Sequence, residues 1–484
     1  MPAWAVIPAL VAAGFVPGWL VVRQFGRGRL SLPQAFAALV LGLAALGWAA
    51  LVLAELGVYS LGRLGLVWVV LVGGLLILDR GRDALSDALP NPFPQAEGVA
   101  DPLPSPLPRG EGVAWLPAWA ELVFLAAWAV AAGWLFFRPH EYVLGAADAG
   151  VYVSIGASIA REGSLVIEDE TVAELDPALW PALLRPLPDD PVAAYYLLPG
   201  FYVIGAPPGQ ITPQFYPLHP VWLGVAFSLA GGTAATPATA EAIHAALLLN
   251  GLWAALGALA VYFTVRQFAG WPTAALALVA LSLTALQVWF GRYPTTELLT
   301  QFVLWSGLCG LGHWLGGDGP GKLWALLAGV SLGLVFLVRV DMLVLLPVLA
   351  LLVWWLLAGG RRAVPAGTVG WFLVPLAGLV LHSFAHAWFQ SRPYFVVHSG
   401  LGLRLLQVNW AIPAVGALSA LVFLWLLRRA EGRFLAGYDR YRRVALAALV
   451  GVTLIVAVYG WFIRPLFGAP VAQQDFFSGG SVPL

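Results

Sequence analysis

The sequence predicts an all-α polytopic membrane protein with about 12 transmembrane helices. Of its 484 residues, 60% are hydrophobic and only 10% are charged, and the mean hydropathy is +0.84. Apolar stretches long enough to cross a bilayer recur along the chain. A soluble globular protein has neither such stretches nor so few charges, so a soluble class is excluded.

The predicted spans follow from the length of each apolar stretch, because crossing the hydrocarbon core takes about 20 residues of helix. The first stretch lacks the basic start of a signal peptide, so we interpret it as a retained helix. The segment 215–231 opens with Phe215-Tyr-Pro-Leu-His-Pro220 and is short, so we interpret it as a helix lying in, or dipping into, the outer interface. The spans are 3–22, 35–54, 64–78, 117–137, 241–265, 272–290, 298–316, 323–338, 342–358, 365–388, 410–427 and 444–463.

The loop charges give the orientation of these spans. If 215–231 does not cross the membrane, 16 of the 25 Arg and Lys residues fall on one side, which is then predicted to be cytoplasmic. If it does cross, the strongly basic segment 428–443 becomes external, so the first topology is favoured. The protein is therefore expected in the cell membrane, with its loop 138–240 on the extracytoplasmic face.

The chain divides into four predicted regions. N-terminal helices occupy 1–78, and a proline-rich cytoplasmic linker with little to bury follows at 79–116. Residues 117–345 include the external loop 138–240 and the candidate chemistry, and 346–484 hold the C-terminal helices. The uncharged ending Gly479-Gly-Ser-Val-Pro-Leu484 is abrupt, which leaves a truncated product open.

The overall charge and the cysteine content exclude several classes of partner and site. The formal net charge is zero, so the chain has no overall basic excess and a nucleic-acid partner is not expected. Cys309 is the only cysteine, which excludes an internal disulfide and a cysteine metal cluster.

Asp148 is the most informative residue of the external loop. It lies just before, or at the start of, a helix predicted from the apolar spacing between Tyr152 and Ile159, and Gly163 ends that helix. Further on, 200–204 and 211–216 flank Pro207-Pro-Gly209 and predict a short hairpin. The run Glu168-Asp-Glu170 is interpreted as solvated charge.

The predicted topology brings three carboxylates and two arginines from separate turns to one membrane face. A carboxylate near the low-dielectric boundary suits a general base, and an arginine can hold a phosphate leaving group. Each acid also has a structural interpretation: Asp148 can cap its helix, Glu297 can stabilise a helix dipole, and Asp341 can pair with Arg339 or with Arg292. The residues concerned are Asp148, Glu297, Asp341, Arg292 and Arg339.

Histidines and a second basic patch complete the candidates. His382 and His386 lie one helical turn apart and could either bind a metal or hydrogen-bond inside the bundle, the interpretation that we favour. In the loop 389–409, Arg392, His398 and Arg404 lie among apolar residues that are expected to dip into lipid headgroups. This patch would grip a lipid phosphate or anchor the loop.

Together these features resemble the GT-C membrane glycosyltransferases, and most closely the bacterial relatives of protein O-mannosyltransferases and of lipid A aminoarabinose transferases. The similarity covers roughly 115–345. It is carried by Asp148 before its Val-Tyr helix, by Arg161-Glu-Gly-Ser-Leu165, by Gln214-Phe-Tyr-Pro217 and by Arg292-Tyr-Pro-Thr-Thr-Glu297.

The resemblance implies transfer of a sugar from a polyprenyl-phosphate donor to a lipid, glycan or protein acceptor at the external face. By the same resemblance, Asp148 is the base or a metal-associated carboxylate and Glu297 is the second catalytic acid. Many members have two adjacent acids where this chain has Ala147-Asp-Ala149, which weakens the case for a divalent metal and leaves the cofactor open. The predicted substrate-binding residues are Tyr152, Arg292, Arg339, Asp341, Arg392, His398 and Arg404.

Two other classes compete with this enzyme. A lipid-linked-sugar flippase or transporter needs a polar path through the bilayer, whereas the predicted spans hold few ionisable groups. A non-catalytic scaffold with a GT-C-like fold would fit the missing second acid. The one-sided distribution of the candidate residues favours the enzyme.

Overall fold

The computed structural model describes most of the chain up to residue 408. Residues 1–401 form one compact unit and 402–484 a second, and every side-chain contact given below lies within the first. The described residues are 1–26, 30–88, 117–141, 143, 148–186, 195–204, 209–232, 239–358, 364, 367–408, 451, 458, 473–474 and 481–482.

The described part is mostly helical, and eight of its helices are long and apolar enough to cross a membrane. These helices agree with the predicted multi-pass membrane protein. The predicted spans at 410–427 and 444–463 lie outside the described residues. The eight candidate spans are Ala3–Phe25, Leu32–Glu55, Leu61–Gly81, Trp119–Phe136, Ala240–Ser282, Gly321–Val338, Val340–Leu357 and Val369–Phe389.

The helices up to the external loop are α1 (Ala3–Phe25), α2 (Leu32–Glu55), α3 (Leu61–Ala88) and α4 (Ala118–Phe136). α3 continues past its predicted end at 78 into the segment predicted as a linker, whose remaining residues, 89–116, lie outside the described part. α1 and α2 pack with their backbones almost in contact. A Cβ atom on Gly42 would lie 1.6 Å from the Gly14 carbonyl oxygen, so only glycine fits there.

We expect Gly42→Val to push α1 and α2 apart and to destabilise the protein by about 3 kcal/mol, because neither backbone can yield. Thermal unfolding in detergent measures the effect. Gly378→Val is the matched control, since a Cβ atom at this helical glycine would have nothing within 4 Å. Equal melting temperatures for the two variants would contradict the close packing.

The external loop folds into a short helix and a small lobe. α5 (Asp148–Glu162) begins at Asp148, as predicted, and Gly163 follows it with φ of 73°. The lobe consists of a five-stranded antiparallel sheet in the order β1-β5-β4-β3-β2, with two short helices beside it. Its elements are β1 (Ile167–Glu168), α6 (Glu170–Glu174), α7 (Trp180–Leu183), β2 (Arg185–Pro186), β3 (Tyr196–Leu198), β4 (Phe201–Val203) and β5 (Gln210–Pro213).

β4 and β5 pair over the residues for which the sequence predicts a hairpin, with Val203 opposite Ile211. Both side chains are buried in the lobe's own small core, together with Val172 and Trp180. The hairpin is thus the centre of a sheet rather than a free ribbon, because three further short strands extend it on both sides.

The segment 215–231 contains α8 (Leu218–Leu229), whose 12 residues correspond to about 18 Å of helix, too short to span. Every residue from Leu218 to Ser228 is buried by protein. α8 crosses α5 where Gly156 and Gly224 meet, with a Cβ atom on Gly224 only 3.1 Å from the Gly156 carbonyl oxygen. This crossing fixes the orientation of α5.

The later helices are α9 (Ala240–Leu247), α10 (Leu249–Ser282), α11 (Ala285–Arg292), α12 (Glu297–Gly316), α13 (Gly321–Val338), α14 (Leu346–Ala358), α15 (Val369–Phe389) and α16 (Arg392–Val408). A 3₁₀ segment, Val340–Leu345, joins α13 to α14. In the second unit, Gln473–Gln474 pairs with Ser481–Val482.

α10 reverses direction at Gly270, which has φ of 76° and ψ of 168°. The Gln287 side chain donates to the Ala254 carbonyl oxygen and the Asn250 side chain to that of Phe290, so the chain returns antiparallel to its own first half. The helix therefore supplies two passes across the bundle, in agreement with the predicted turn between 265 and 272.

The bundle has two chemically distinct ends. The sheet end carries the five-stranded sheet and the residues Glu55, Asp148, Glu297 and Arg339. The opposite end carries the ion pair between Arg23 and Asp79 and the pair between Arg266 and Glu121, with N–O distances of 2.9 and 2.6 Å.

Candidate functional site

A cavity of about 260 Å³ opens at the sheet end, and we call it the sheet-end cavity. Its walls come from the start of α5, the residues before α8, the start of α12, the end of α13 and the start of α16. Three carboxylates, one guanidinium and one imidazole face it. The lining residues are Asp148, Tyr152, Phe215, Tyr216, Thr295, Glu297, Val338, Arg339, Val340, Asp341, Tyr394 and His398.

Asp148 reaches the cavity because α5 begins there while its buried face packs against α8. Its side chain is exposed to the cavity, and the ion pairs among the described residues do not include it. Partial desolvation at the cavity wall raises the pKa of Asp148 above its ordinary value, Glu297 raises it further by charge repulsion, and Arg339 acts in the opposite direction. A raised pKa brings this carboxylate closer to the range in which a general base works.

Glu297 is the first residue of α12 and follows a turn held by a single amide. The Nδ2 atom of Asn250 donates to the carbonyl oxygens of Phe290, Tyr293 and Thr295 at 3.2, 2.6 and 2.9 Å. This fixes the turn, so that Thr295 and Glu297 line the cavity. The Oε2 atom of Glu297 is buried and has no hydrogen-bond partner among the described residues.

Arg339 follows α13 and connects the two acidic sides of the cavity. Its Nε and Nη2 donate to the two oxygens of Asp341 at 3.0 and 2.9 Å, and its Nη1 donates to Glu297 Oε1 at 2.9 Å. The same Nη1 donates to Thr296 Oγ1 at 3.1 Å. The hydrogen bonds to Asp341 raise the pKa of Arg339, so the guanidinium stays charged. Of the two arginines considered as partners for Asp341, Arg339 is the one it pairs with.

Aromatic residues form another side of the cavity. The Tyr152 ring stacks on Phe215 with centroids 4.6 Å apart, and the Tyr394 ring lies 4.1 Å from that of His398. Burial raises the pKa values of Tyr152 and Tyr394, and raises that of Tyr216 to about 12, so all three keep their hydroxyl protons. This side therefore combines flat apolar surface with hydroxyl donors.

Arg292 does not line the cavity. Its Nε donates to the Leu135 carbonyl oxygen at 2.8 Å, and its own carbonyl oxygen accepts from the His140 backbone N–H at 2.8 Å. A basic side chain on the last carbonyls of a helix stabilises that helix end, so in this structure Arg292 joins α4 to α11.

The second basic patch is only partly brought to the cavity. The sequence predicts a loop at 389–409, but the structure has α16 there, because Pro393 suits the first turn of a helix and apolar residues follow it. The Arg392 guanidinium lies over the Trp388 ring at 4.4 Å rather than in the cavity. His398 lines the cavity, and the side chain of Arg404 lies outside the described residues.

His382 and His386 meet the same carboxylate, Glu55. His382 Nε2 lies 2.8 Å from Glu55 Oε2, and Trp48 Nε1 donates to His382 Nδ1 at 2.9 Å. A metal on Nε2 would leave the proton on Nδ1, facing the Trp48 donor, so the hydrogen-bonded arrangement excludes a metal at this nitrogen. Within the described ranges, no three His, Cys, Asp or Glu side chains are arranged to hold a metal ion.

Six cavity residues are not among the predicted site residues: Phe215, Tyr216, Thr295, Val338, Val340 and Tyr394. Tyr216 belongs to the motif Gln214-Phe-Tyr-Pro217, and Thr295 belongs to the turn that ends at Glu297, so both lay inside segments already singled out. Tyr394 belongs to the segment 389–409, whose apolar residues are predicted to dip into lipid headgroups. Its position depends on α16 folding back as a helix, for which the local sequence gives only Pro393 as a signal.

Comparison with models of known protein families, with curated proteins and with solved structures finds no match. The chemistry of the site therefore has to be argued from its own geometry. An ionised carboxylate can take a proton, a fixed guanidinium can stabilise negative charge, and an aromatic wall can hold a ring. These three capacities meet in one cavity at one end of a membrane bundle.

Proposed function

We propose that the protein is a membrane glycosyltransferase, hexosyl or pentosyl, that moves a sugar from a polyprenyl-phosphate donor to a lipid, glycan or protein acceptor. The observation that carries this proposal is the convergence of Asp148 and Arg339 in the sheet-end cavity. Asp148 and Arg339 lie 191 residues apart in the sequence, yet a carboxylate outside any described ion pair and a fixed guanidinium face this one space.

In the proposed reaction an acceptor hydroxyl oxygen attacks the anomeric carbon of the sugar. The proton of that hydroxyl passes to the Asp148 carboxylate, and the bond between the anomeric carbon and the phosphate oxygen breaks. The bond's electron pair leaves with the phosphate, and Arg339 stabilises its negative charge. Glu297 and Asp341 hold the guanidinium in place, and no step is assigned to a metal.

We further propose the 12-span topology, with the sheet-end cavity at the extracytoplasmic face. The basic excess of the predicted cytoplasmic loops supports this orientation, including Arg23 and Arg266 at the opposite end. A GT-C-like architecture remains part of the proposal, supported by the order of the motifs around Asp148, Gln214 and Arg292.

The arrangement of charge favours transfer over transport. In the described spans, Asp, Glu, Lys and Arg residues lie near helix ends, such as Glu121 and Arg266 at the opposite end. A carrier for a charged lipid needs polar groups along its path through the bilayer. The described helices provide such groups at the two surfaces instead.

The test is the transfer of labelled sugar from polyprenyl-phosphate donors by the purified protein in proteoliposomes. We expect label to move from the donor into a polyprenyl-free product while free polyprenyl phosphate accumulates. Movement of intact donor between leaflets without bond cleavage would overturn the proposal in favour of transport. If the protein neither cleaves nor moves any donor in a panel of donor sugars, the result would favour the non-catalytic scaffold.

A further inference from the structure

A largely buried acid–base cluster lies beside the sheet-end cavity without lining it. Glu55 ends α2 and accepts hydrogen bonds on both carboxylate oxygens, from His386 Nδ1 at 2.7 Å and from His382 Nε2 at 2.8 Å. His386 Nε2 lies 2.8 Å from Ser391 Oγ. The side chains of His386 and Ser391 are almost completely buried, so this chain of contacts is shielded from solvent.

The hydrogen bonds assign the protons in this cluster. Trp48 Nε1 can only donate, so His382 Nδ1 accepts and His382 carries its single proton on Nε2, facing Glu55. His382 is therefore neutral. His386 donates its Nδ1 proton to Glu55, and a carboxylate that accepts from two imidazoles is ionised. The interaction between Glu55 and His386 is thus charge-assisted.

The cluster holds the turn between α15 and α16. The backbone N–H groups of Gln390 and Ser391 both donate to the His386 carbonyl oxygen, at 2.8 and 3.1 Å. The Gln390 side chain donates to the Glu55 carbonyl oxygen at 3.3 Å, and Thr212 of β5 donates to the Gln390 carbonyl oxygen at 2.7 Å. The turn is therefore tied to α2, to α15 and to the sheet.

Three cavity residues depend on this turn. α16 begins one residue after Ser391 and carries Tyr394 and His398 into the cavity. The Tyr216 ring packs edge-on against the His386 ring with centroids 5.8 Å apart. The centroids of the Tyr216 and Tyr394 rings are also 5.8 Å apart. The cluster thus supports the aromatic side of the cavity from behind.

A nucleophilic role for Ser391 fits the structure less well. The acid, imidazole and hydroxyl are spaced as in a nucleophile activated by a base. However, Ser391 is only 2% exposed and is not among the cavity-lining residues, so no reacting group reaches its hydroxyl. The hydroxyl instead lies at the joint between two helices.

We propose that Glu55 is a positioning residue: through His386 and Ser391 it docks the start of α16, and with it Tyr394 and His398, against the sheet-end cavity. The kinetic part of this proposal rests on the proposed function. The docking itself does not depend on the proposed function, because it concerns only the position of α16.

The docking can be measured by the labelling of one cysteine. Cys309 is 1% exposed, so a Ser399→Cys variant of the full chain has one accessible thiol, and Ser399 is a half-buried residue of α16. In this background we expect Glu55→Gln to raise the rate of labelling by a water-soluble maleimide roughly tenfold, because loss of the charge-assisted contact lets α16 open. Glu121→Gln is the matched control, since Glu121 is also a buried carboxylate but pairs with Arg266 at the opposite end.

Ser391 provides a second, milder test. Ser391→Ala removes the hydroxyl and should raise the labelling rate, whereas Ser391→Thr keeps it and should restore the rate of the parent. If the Glu55→Gln variant does not fold, the labelling rates of the two Ser391 variants test the proposal instead. Labelling that stays unchanged in Glu55→Gln or in Ser391→Ala would overturn the proposal. So would an equal rise in labelling of the control Glu121→Gln.

The kinetic measurement separates this proposal from the proposed function. With native Ser399, we expect Glu55→Gln to raise the KM for the sugar donor about tenfold while kcat changes little, because the aromatic wall moves but Asp148 does not. A loss of kcat at constant KM would overturn the positioning role. If the native protein transfers no sugar but the labelling responds as expected, the proposed function fails and the docking role stands.

Discussion

Replacing Asp148 by Asn is expected to lower kcat/KM for sugar transfer by about 100-fold or more, because the acceptor hydroxyl loses its general base. Asn is as good a helix N-cap as Asp, so this change keeps any capping role and removes only the charge. Initial rates with the labelled donor measure the effect. Unchanged transfer by the variant would remove Asp148 from the mechanism.

Asp169→Asn is the matched control for this variant. Asp169 Oδ1 accepts a hydrogen bond from the Val172 backbone N–H at the start of α6, in the sheet lobe. Asn can make the same bond, and Asp169 is not among the cavity-lining residues. We therefore expect native transfer rates from it, and a comparable loss in both variants would indicate a general effect on the external loop.

The pH profile gives a further prediction for the same residue. Because partial desolvation and Glu297 raise the pKa of Asp148, the base becomes protonated at a higher pH than an ordinary aspartate would. Transfer should therefore fall as the pH drops through this raised pKa and level off above it. The Asn variant should lose this acid limb. A limb that persists in it would assign the titration to another group.

The second large effect is expected from Arg339→Gln. The change removes the only guanidinium among the described cavity-lining residues and leaves Glu297 and Asp341 without their charged partner. We expect transfer to fall about 100-fold or more, since the departing phosphate loses its counter-charge. Arg339→Lys should recover only part of the activity, because an ammonium group cannot reproduce the guanidinium's hydrogen bonds to both Asp341 and Glu297.

This variant also has a signature of its own. Arg339 holds down the pKa of Asp148, so its loss should move the acid limb of the pH profile to higher pH. Arg23→Gln is the matched control: the Arg23 side chain is 34% exposed against 31% for Arg339 and forms an ion pair with Asp79 at the opposite end. An equal loss of transfer in the two variants would point to destabilisation rather than to a role in the cavity.

Much of the fold could be predicted from local sequence. The helix Asp148–Glu162 follows from apolar spacing and from Gly163, which terminates it, and the β4–β5 pairing follows from a Pro-Pro-Gly sequence between the two strands. The placement of Glu297, Arg339 and Asp341 on one side follows from counting spans, since alternate turns of a bundle share a face.

Other features depend on contacts between distant segments. Nothing near Arg292 shows that it will bond to the Leu135 carbonyl oxygen, and nothing near His382 and His386 shows that Glu55 will meet them both. The extra strands β1 and β2 are two residues long, and their pairing arises only when the lobe closes. Such features need the tertiary arrangement because each partner lies at least ten residues away in the chain.

The Asn250 amide has a mechanical consequence for the molecule. It ties the turn before Glu297 to the start of α10, and the same straight helical segment carries Tyr262 and Arg266, both bonded to Glu121 at the opposite end. A ligand that shifts the backbone of this turn must therefore either break the amide's bonds or tilt the helical segment. In this way the first part of α10, a helical segment of about five turns, connects the two ends of the bundle.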